Sequence, residues 1–194
     1  MVKKLTLAIW LSVSFASLTA QNIDIDLLKS INPSSPGSDF WQVTGHSAYY
    51  LPVSIAAGSV GYGLLSKNKD LRRRGYELVI SIGISAVITQ SLKYTVDRTR
   101  PADKYPNEVF VTKPVHGKSF PSGHTTIAFA TATTLTLQYK KWYIAVPAYL
   151  WAGAAGYSRL YAGEHYPSDV LSGALIGVGG AYLAHWVSGK IFRK

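Results

Sequence analysis

His165 and Asp169 lie four residues apart at the start of an apolar segment, a spacing that places both side chains on one face of a helix. A carboxylate bonded to one ring nitrogen of a histidine fixes the tautomer and leaves the other nitrogen free to attack phosphorus. His124 opens a different apolar segment, from which it could protonate a leaving oxygen and later activate water. These three residues are the candidate catalytic group. The alternative for the first two is a surface pair or two metal ligands.

Five further residues have the chemistry of a phosphate pocket. Lys93, Arg100 and Arg159 supply fixed positive charge, and an arginine fork matches two phosphate oxygens at once. Ser122 and Gly123 stand at the predicted start of a helix, where free backbone N–H groups and the helix dipole favour an anion. Taken singly, each has an ordinary alternative as a solvated loop cation or a turn. Together they predict phosphate binding.

A metal site is the competing interpretation of the same histidines. Its possible ligands are His46, His116, His124, His165 and Asp169. The cations that accompany them would repel a metal ion and attract a phosphate. The sequence therefore favours an enzyme that uses no metal and no other cofactor.

The elements that must position these residues are five apolar segments, at about 47–66, 76–92, 125–139, 142–157 and 170–188. They show no strand alternation and are rich in Ala, Leu, Gly and Ile, so they predict helices and an all-α fold. Their many glycines would weaken helices in water but allow close packing of helices in a membrane. The polar clusters between these helices then meet at one end of the bundle.

Composition and charge favour a membrane protein. Of the 194 residues, 47% are apolar and only 15% are charged, and cysteine is absent. If the N-terminus is cytoplasmic and each segment crosses once, the inner side carries 12 of the 20 basic residues and only two of the 10 acidic ones. This positive-inside pattern accounts for the net charge of +10 without a nucleic-acid partner. The alternative is a soluble, secreted helical bundle.

The chain begins Met1-Val2-Lys3-Lys4, and an apolar stretch from Leu5 to Leu18 and a small residue, Ala20, follow. We interpret residues 1–20 as a signal peptide or a short first transmembrane helix. Residues 21–46, which contain a Pro- and Ser-rich stretch, are predicted to be an irregular extracytoplasmic loop. Residues 47–194 are predicted to form the helical bundle.

Three motifs in this sequence resemble the type 2 phosphatidic acid phosphatase family, within the superfamily of vanadium haloperoxidases and bacterial acid phosphatases. They are KxxxxxxRP at 93–101, PSGH at 121–124 and SRxxxxxHxxxD at 158–169, all without substitution. The resemblance covers about residues 47–190 and implies a six-helix bundle, or five if the first segment is cleaved.

The resemblance also implies a role for each site residue. His165 would become the phosphohistidine, Asp169 would support it and His124 would be the general acid. The phosphate pocket would comprise Lys93, Arg100, Ser122, Gly123, His124 and Arg159.

The predicted activity is a metal-independent lipid phosphatase in the bacterial inner membrane, with its site facing the periplasm or exterior. Lipid A, undecaprenyl diphosphate, phosphatidylglycerophosphate and phosphatidate are the candidate substrates, with a slight preference for lipid A. The main alternative is a soluble periplasmic acid phosphatase. A vanadate-dependent oxidase and a non-enzymatic membrane scaffold or lipid transporter also stay open.

Overall fold

Helices account for most of residues 23–192, which are the residues that the computed structural model describes. They are α1 (23–31), α2 (Asp39–Leu65), α3 (Lys69–Val96), α4 (Pro101–Lys104), α5 (Gly123–Tyr139), α6 (Trp142–Tyr161) and α7 (Pro167–Phe192). Over this range there is no β-strand, so the all-α prediction is confirmed. The five predicted apolar segments correspond to the five long helices. The predicted signal peptide or first helix at 1–20 lies outside the described residues.

The predicted irregular stretch at 21–46 is partly wrong, because 23–31 is helical and α2 already begins at Asp39. A helix as short as α1 is not stable alone and depends on tertiary packing. Ile25 and Leu28 supply that packing, since both are buried in a small apolar cluster near the start of α7. The loop signal that begins at Asn32 marks only the end of α1.

The central helix of the bundle is α5, which packs against α2, α3, α6 and α7. Its interior is made of alanine and threonine side chains, which allow its neighbours to approach closely. One close approach is at Gly177 of α7, where an added Cβ would lie 2.3 Å from the carbonyl oxygen of Thr126. Only glycine fits there without separating the two backbones.

The distribution of polarity in the bundle is the reverse of that in a soluble protein. Leu150 and Leu175 are 70% and 66% exposed, whereas Thr134 and Ser81 are fully buried and hydrogen-bonded to each other at 2.9 Å. Soluble proteins bury leucine and expose threonine and serine. Two stretches, within 69–104 and 167–192, are also long and apolar enough to cross a membrane. This surface fits lipid, and the chain is a membrane protein.

Large exposed aromatic side chains lie at both ends of the bundle. Phe40 and Tyr94 are exposed at one end, and Trp142 and Trp186 at the other. Such aromatic belts are typical of the two membrane–water interfaces. We call the first of these ends the site end. The C-termini of α3 and α6 and the N-termini of α5 and α7 meet there.

Candidate active site

The His165–Asp169 pair lies where the turn after α6 leads into α7. Both side chains are buried, and His165 Nδ1 lies 3.5 Å from Asp169 Oδ2. At this distance Nδ1 has no hydrogen-bond partner, although it faces the carboxylate. The other ring nitrogen, Nε2, lies 3.4 Å from Arg100 Nη1. Nε2 is therefore the nitrogen that faces the cations.

The Asp169 carboxylate is fixed by three hydrogen bonds. Arg98 Nη1 donates to Oδ1 at 2.7 Å, and the backbone N–H of Tyr166 donates to Oδ2 at 2.9 Å. The Ser119 hydroxyl also donates to Oδ2. In addition, the backbone carbonyl of Asp169 accepts from the N–H of Ser122 at 3.0 Å. Three donors to one buried carboxylate favour its ionised form and restrict its orientation.

Backbone carbonyls hold Arg100 and Lys93 in place. Arg100 donates from Nε to the carbonyl of Gly117 at 3.1 Å and from Nη1 to that of Glu164 at 2.8 Å. Lys93 donates from Nζ to the carbonyl of Lys118 at 2.8 Å. Carbonyl oxygens orient both cations without neutralising them, so their charge stays available to an anion.

Arg159, near the end of α6, is oriented by two neighbouring polar side chains and by the space above a glycine. Its Nε donates to Ser158 Oγ at 3.0 Å, and its Nη1 lies 3.1 Å from Glu164 Oε2. The guanidinium lies against α2 at Gly45, where an added Cβ would be 1.7 Å from Nη2. The absence of a side chain at position 45 therefore makes the space that Arg159 occupies.

The N-terminus of α5 completes the site end. Ser122 is the fully buried N-cap residue, and Gly123 begins the helix. The Ser122 hydroxyl accepts from Thr125 Oγ1 at 2.9 Å. The ring of His124 packs edge-on against Tyr49 of α2, with 4.4 Å between ring centroids. This helix start offers backbone donors and a favourable dipole to an anion next to His124.

The electrostatic environment favours a neutral His165. Burial lowers the pKa of its imidazole, and the nearby Arg100 charge lowers that pKa further, against the opposing effect of Asp169. The neutral form is the nucleophilic form of histidine. Burial likewise raises the pKa of the neighbouring Tyr166 phenol to about 12, so this group stays protonated.

Every residue predicted for the site lies at the site end. The eight are Lys93, Arg100, Ser122, Gly123, His124, Arg159, His165 and Asp169. Sequence reasoning assigned no role to Arg98, Glu164, Gly45 or Tyr49. Arg98 lies two residues before Arg100, and the sequence would have allowed its prediction as a third cation beside Lys93 and Arg100. For Gly45 and Tyr49, on the long helix α2, no local signal existed.

Two clefts border the site. One, of about 500 Å³, is lined by Arg100, Asp103 and Phe110 among others. The second, of about 220 Å³, is lined by Trp41 and by Arg159 with its partner Glu164. Arg100 and Arg159 therefore line two different clefts.

The alternative of a metal site has no matching set of ligands in the part of the chain that the structure describes. Within 23–192, no group of three or more His, Cys, Asp or Glu side chains is placed to hold a metal ion.

Comparison with known proteins identifies relatives across most of the chain. The family model of the PAP2 superfamily matches residues 74–193. A lipid A 1-phosphatase of Porphyromonas gingivalis is 30% identical over 92% of this chain, which spans only 38% of that relative's length. An undecaprenyl-diphosphatase of Sulfolobus acidocaldarius is 32% identical over 81% of the chain and 75% of the relative. The crystal structure of Aquifex aeolicus LpxE superposes with a TM-score of 0.68 at 29% identity, over 84% of this chain and 95% of that one.

Proposed function

The chain belongs to the PAP2 superfamily, and from this premise we propose that it is a membrane phosphatase acting on a phospholipid-type substrate. The observation that carries the proposal is the placement of His165. Its Nδ1 faces Asp169, and its Nε2 lies 3.4 Å from Arg100 in a cluster of cations. A neutral nitrogen beside anion-binding groups is the arrangement that phosphoryl transfer to histidine requires.

The proposed reaction has two steps at His165. Nε2 attacks the phosphorus of the bound substrate, and the bond from phosphorus to the leaving oxygen breaks while His124 protonates that oxygen. Water, deprotonated by His124, then attacks the phosphohistidine, which releases phosphate and restores Nε2. Asp169 stabilises the positive charge that develops on the imidazole. Lys93, Arg100, Arg159 and the N-terminus of α5 stabilise the negative charge on the phosphoryl oxygens.

Lipid substrates are supported by the apolar surface of the bundle and by the names of the relatives. We favour lipid A, with undecaprenyl diphosphate, phosphatidylglycerophosphate and phosphatidate as the other candidates. The positive-inside pattern supports the bacterial inner membrane, with the site facing the periplasm or exterior. The soluble acid phosphatase alternative is disfavoured, because large apolar side chains such as Leu150 and Leu175 are exposed.

The test is phosphate release from these four lipids in detergent micelles by the wild type, by His165→Ala and by His185→Gln. His185 lies near the opposite end of α7 and pairs with Glu77, so its substitution is a matched control. We expect release from at least one lipid, a loss of about a thousandfold or more in His165→Ala and little change in the control. Full activity of folded His165→Ala would refute the mechanism, and turnover of none of the lipids would refute the substrate class.

Metal independence is tested separately with a chelator. Activity should survive dialysis against EDTA, and vanadate should inhibit because it mimics pentacoordinate phosphorus at His165. Loss of activity in EDTA that a divalent ion restores would contradict the proposed chemistry.

A further inference from the structure

Asp24 is a buried carboxylate outside the three motifs and outside the part of the chain that the family model matches. It lies in α1 and reaches the first turn of α7. Its Oδ1 accepts from the backbone N–H of Ser168 at 2.9 Å, and its Oδ2 accepts from the Ser168 hydroxyl at 2.6 Å. Asp24 thus caps α7 from a position 144 residues away in the sequence. A negative charge at a helix N-terminus is also favoured by the helix dipole.

Arg98 connects Asp24 to the proposed catalytic pair. Its Nη2 donates to Asp24 Oδ2 at 2.6 Å, while its Nη1 donates to Asp169 Oδ1 at 2.7 Å and to the Ser168 hydroxyl at 2.6 Å. The guanidinium also lies over the Tyr166 ring, 3.7 Å from its centroid. One planar cation therefore bridges two carboxylates, a geometry that lysine has too few fixed donors to reproduce.

We propose that Asp24 is a positioning residue of the active site, acting through Arg98 and the first turn of α7. By holding both, it sets the orientation in which the Asp169 carboxylate faces His165 Nδ1. A hydrogen-bond network of this kind restricts its members more than isolated pairs do. The inference rests on the proposed function, because it assigns Asp24 to the support of that same nucleophile.

The experiment compares kcat and KM of Asp24→Asn with those of the wild type, per mole of folded protein in detergent micelles, on the best lipid of the panel. Asparagine keeps the size of the side chain and removes its charge, which weakens both the cap and the bridge. We expect kcat to fall about tenfold or more and KM to change less than twofold, since the phosphate-binding groups are untouched. Asp24→Glu, which restores the carboxylate, should recover a substantial part of kcat.

Asp26→Asn is the matched control, because it removes the same charge from an exposed residue of the same helix. We expect its kcat to equal that of the wild type. Equal kcat values for Asp24→Asn and Asp26→Asn would overturn the inference.

Arg98→Lys tests the bridge between Asp24 and Asp169, and it tests the inference even if Asp24→Asn does not fold. It should lower kcat to a similar extent, and the Asp24→Asn, Arg98→Lys double variant should lose little more than the worse single variant. Unchanged kcat in Arg98→Lys, or fully additive losses, would reject the coupling. If His165→Ala abolishes turnover while Asp24→Asn keeps the wild-type kcat, only this inference fails and the proposed function stands.

Discussion

The space at Gly45 allows a sharp test of the proposed role of Arg159 in phosphate binding. In Gly45→Ala the new methyl group would lie 1.7 Å from Arg159 Nη2 and 2.4 Å from Cζ. Ordinary contact for a Cβ begins near 3.4 Å, so the guanidinium must retreat by about 1.7 Å. A displacement of this size exceeds the tolerance of a hydrogen bond.

The expected magnitude follows from the bonds that are lost. A hydrogen bond to a charged group contributes about 1.5–3 kcal/mol, and about 1.4 kcal/mol corresponds to a factor of ten. If Arg159 loses one such bond to the substrate phosphate, kcat/KM should fall about 10- to 100-fold. The same substitution should not lower the stability of α2 through helix propensity, since alanine favours a helix by about 1 kcal/mol over glycine.

The assay is lipid phosphate release with a thermal melt of each purified variant in the same detergent. Gly58→Ala is the control, because Gly58 lies in the same helix and a Cβ added there meets nothing within 4 Å. The control should keep wild-type kcat/KM. The reasoning is refuted if Gly45→Ala is as active as Gly58→Ala, or if its lower activity only reflects a smaller folded fraction.

Two further predictions concern pH and packing. Burial and the Arg100 charge lower the pKa of His165, so its neutral form persists as pH falls. The acid limb of kcat/KM should therefore have its midpoint below the ordinary histidine pKa of about 6.5. A midpoint above that value in the pH–rate profile would contradict this prediction. In Gly177→Ala the new Cβ would lie 2.3 Å from the Thr126 carbonyl oxygen and would push α7 away from α5. The free energy of unfolding should therefore fall by about 1–3 kcal/mol. Gly179→Ala, where a Cβ meets nothing within 4 Å, should melt like the wild type, and equal melting of the two variants would exclude this close approach.

The candidate catalytic group could be located from the sequence because its chemistry is concentrated in short stretches. His165 and Asp169 are four residues apart, and Ser122 and Gly123 directly precede His124. Long apolar segments between these stretches also indicated the helices that bring them together. Residue type, spacing and apolar length were therefore enough to locate the candidate site and the fold class.

The residues that sequence reasoning missed contact partners far away in the chain. Asp24 bonds to Ser168 across 144 residues, and Gly45 matters only because Arg159 lies against it. Neither belongs to a local pattern, and α1 is too short for its apolar residues to indicate a helix before its packing is known. Only the tertiary structure brings these two positions to the candidate site.

The reversed polarity of the bundle has a consequence for protein engineering. The interior is held by close packing of alanine, glycine, threonine and serine, and some of its hydroxyls bond to each other, as Thr134 does with Ser81. This interior does not include the large side chains that face lipid, such as Leu150 and Leu175. Replacing that outer layer with charged residues is therefore a route to a water-soluble version that leaves this interior, and the candidate site that it positions, unchanged.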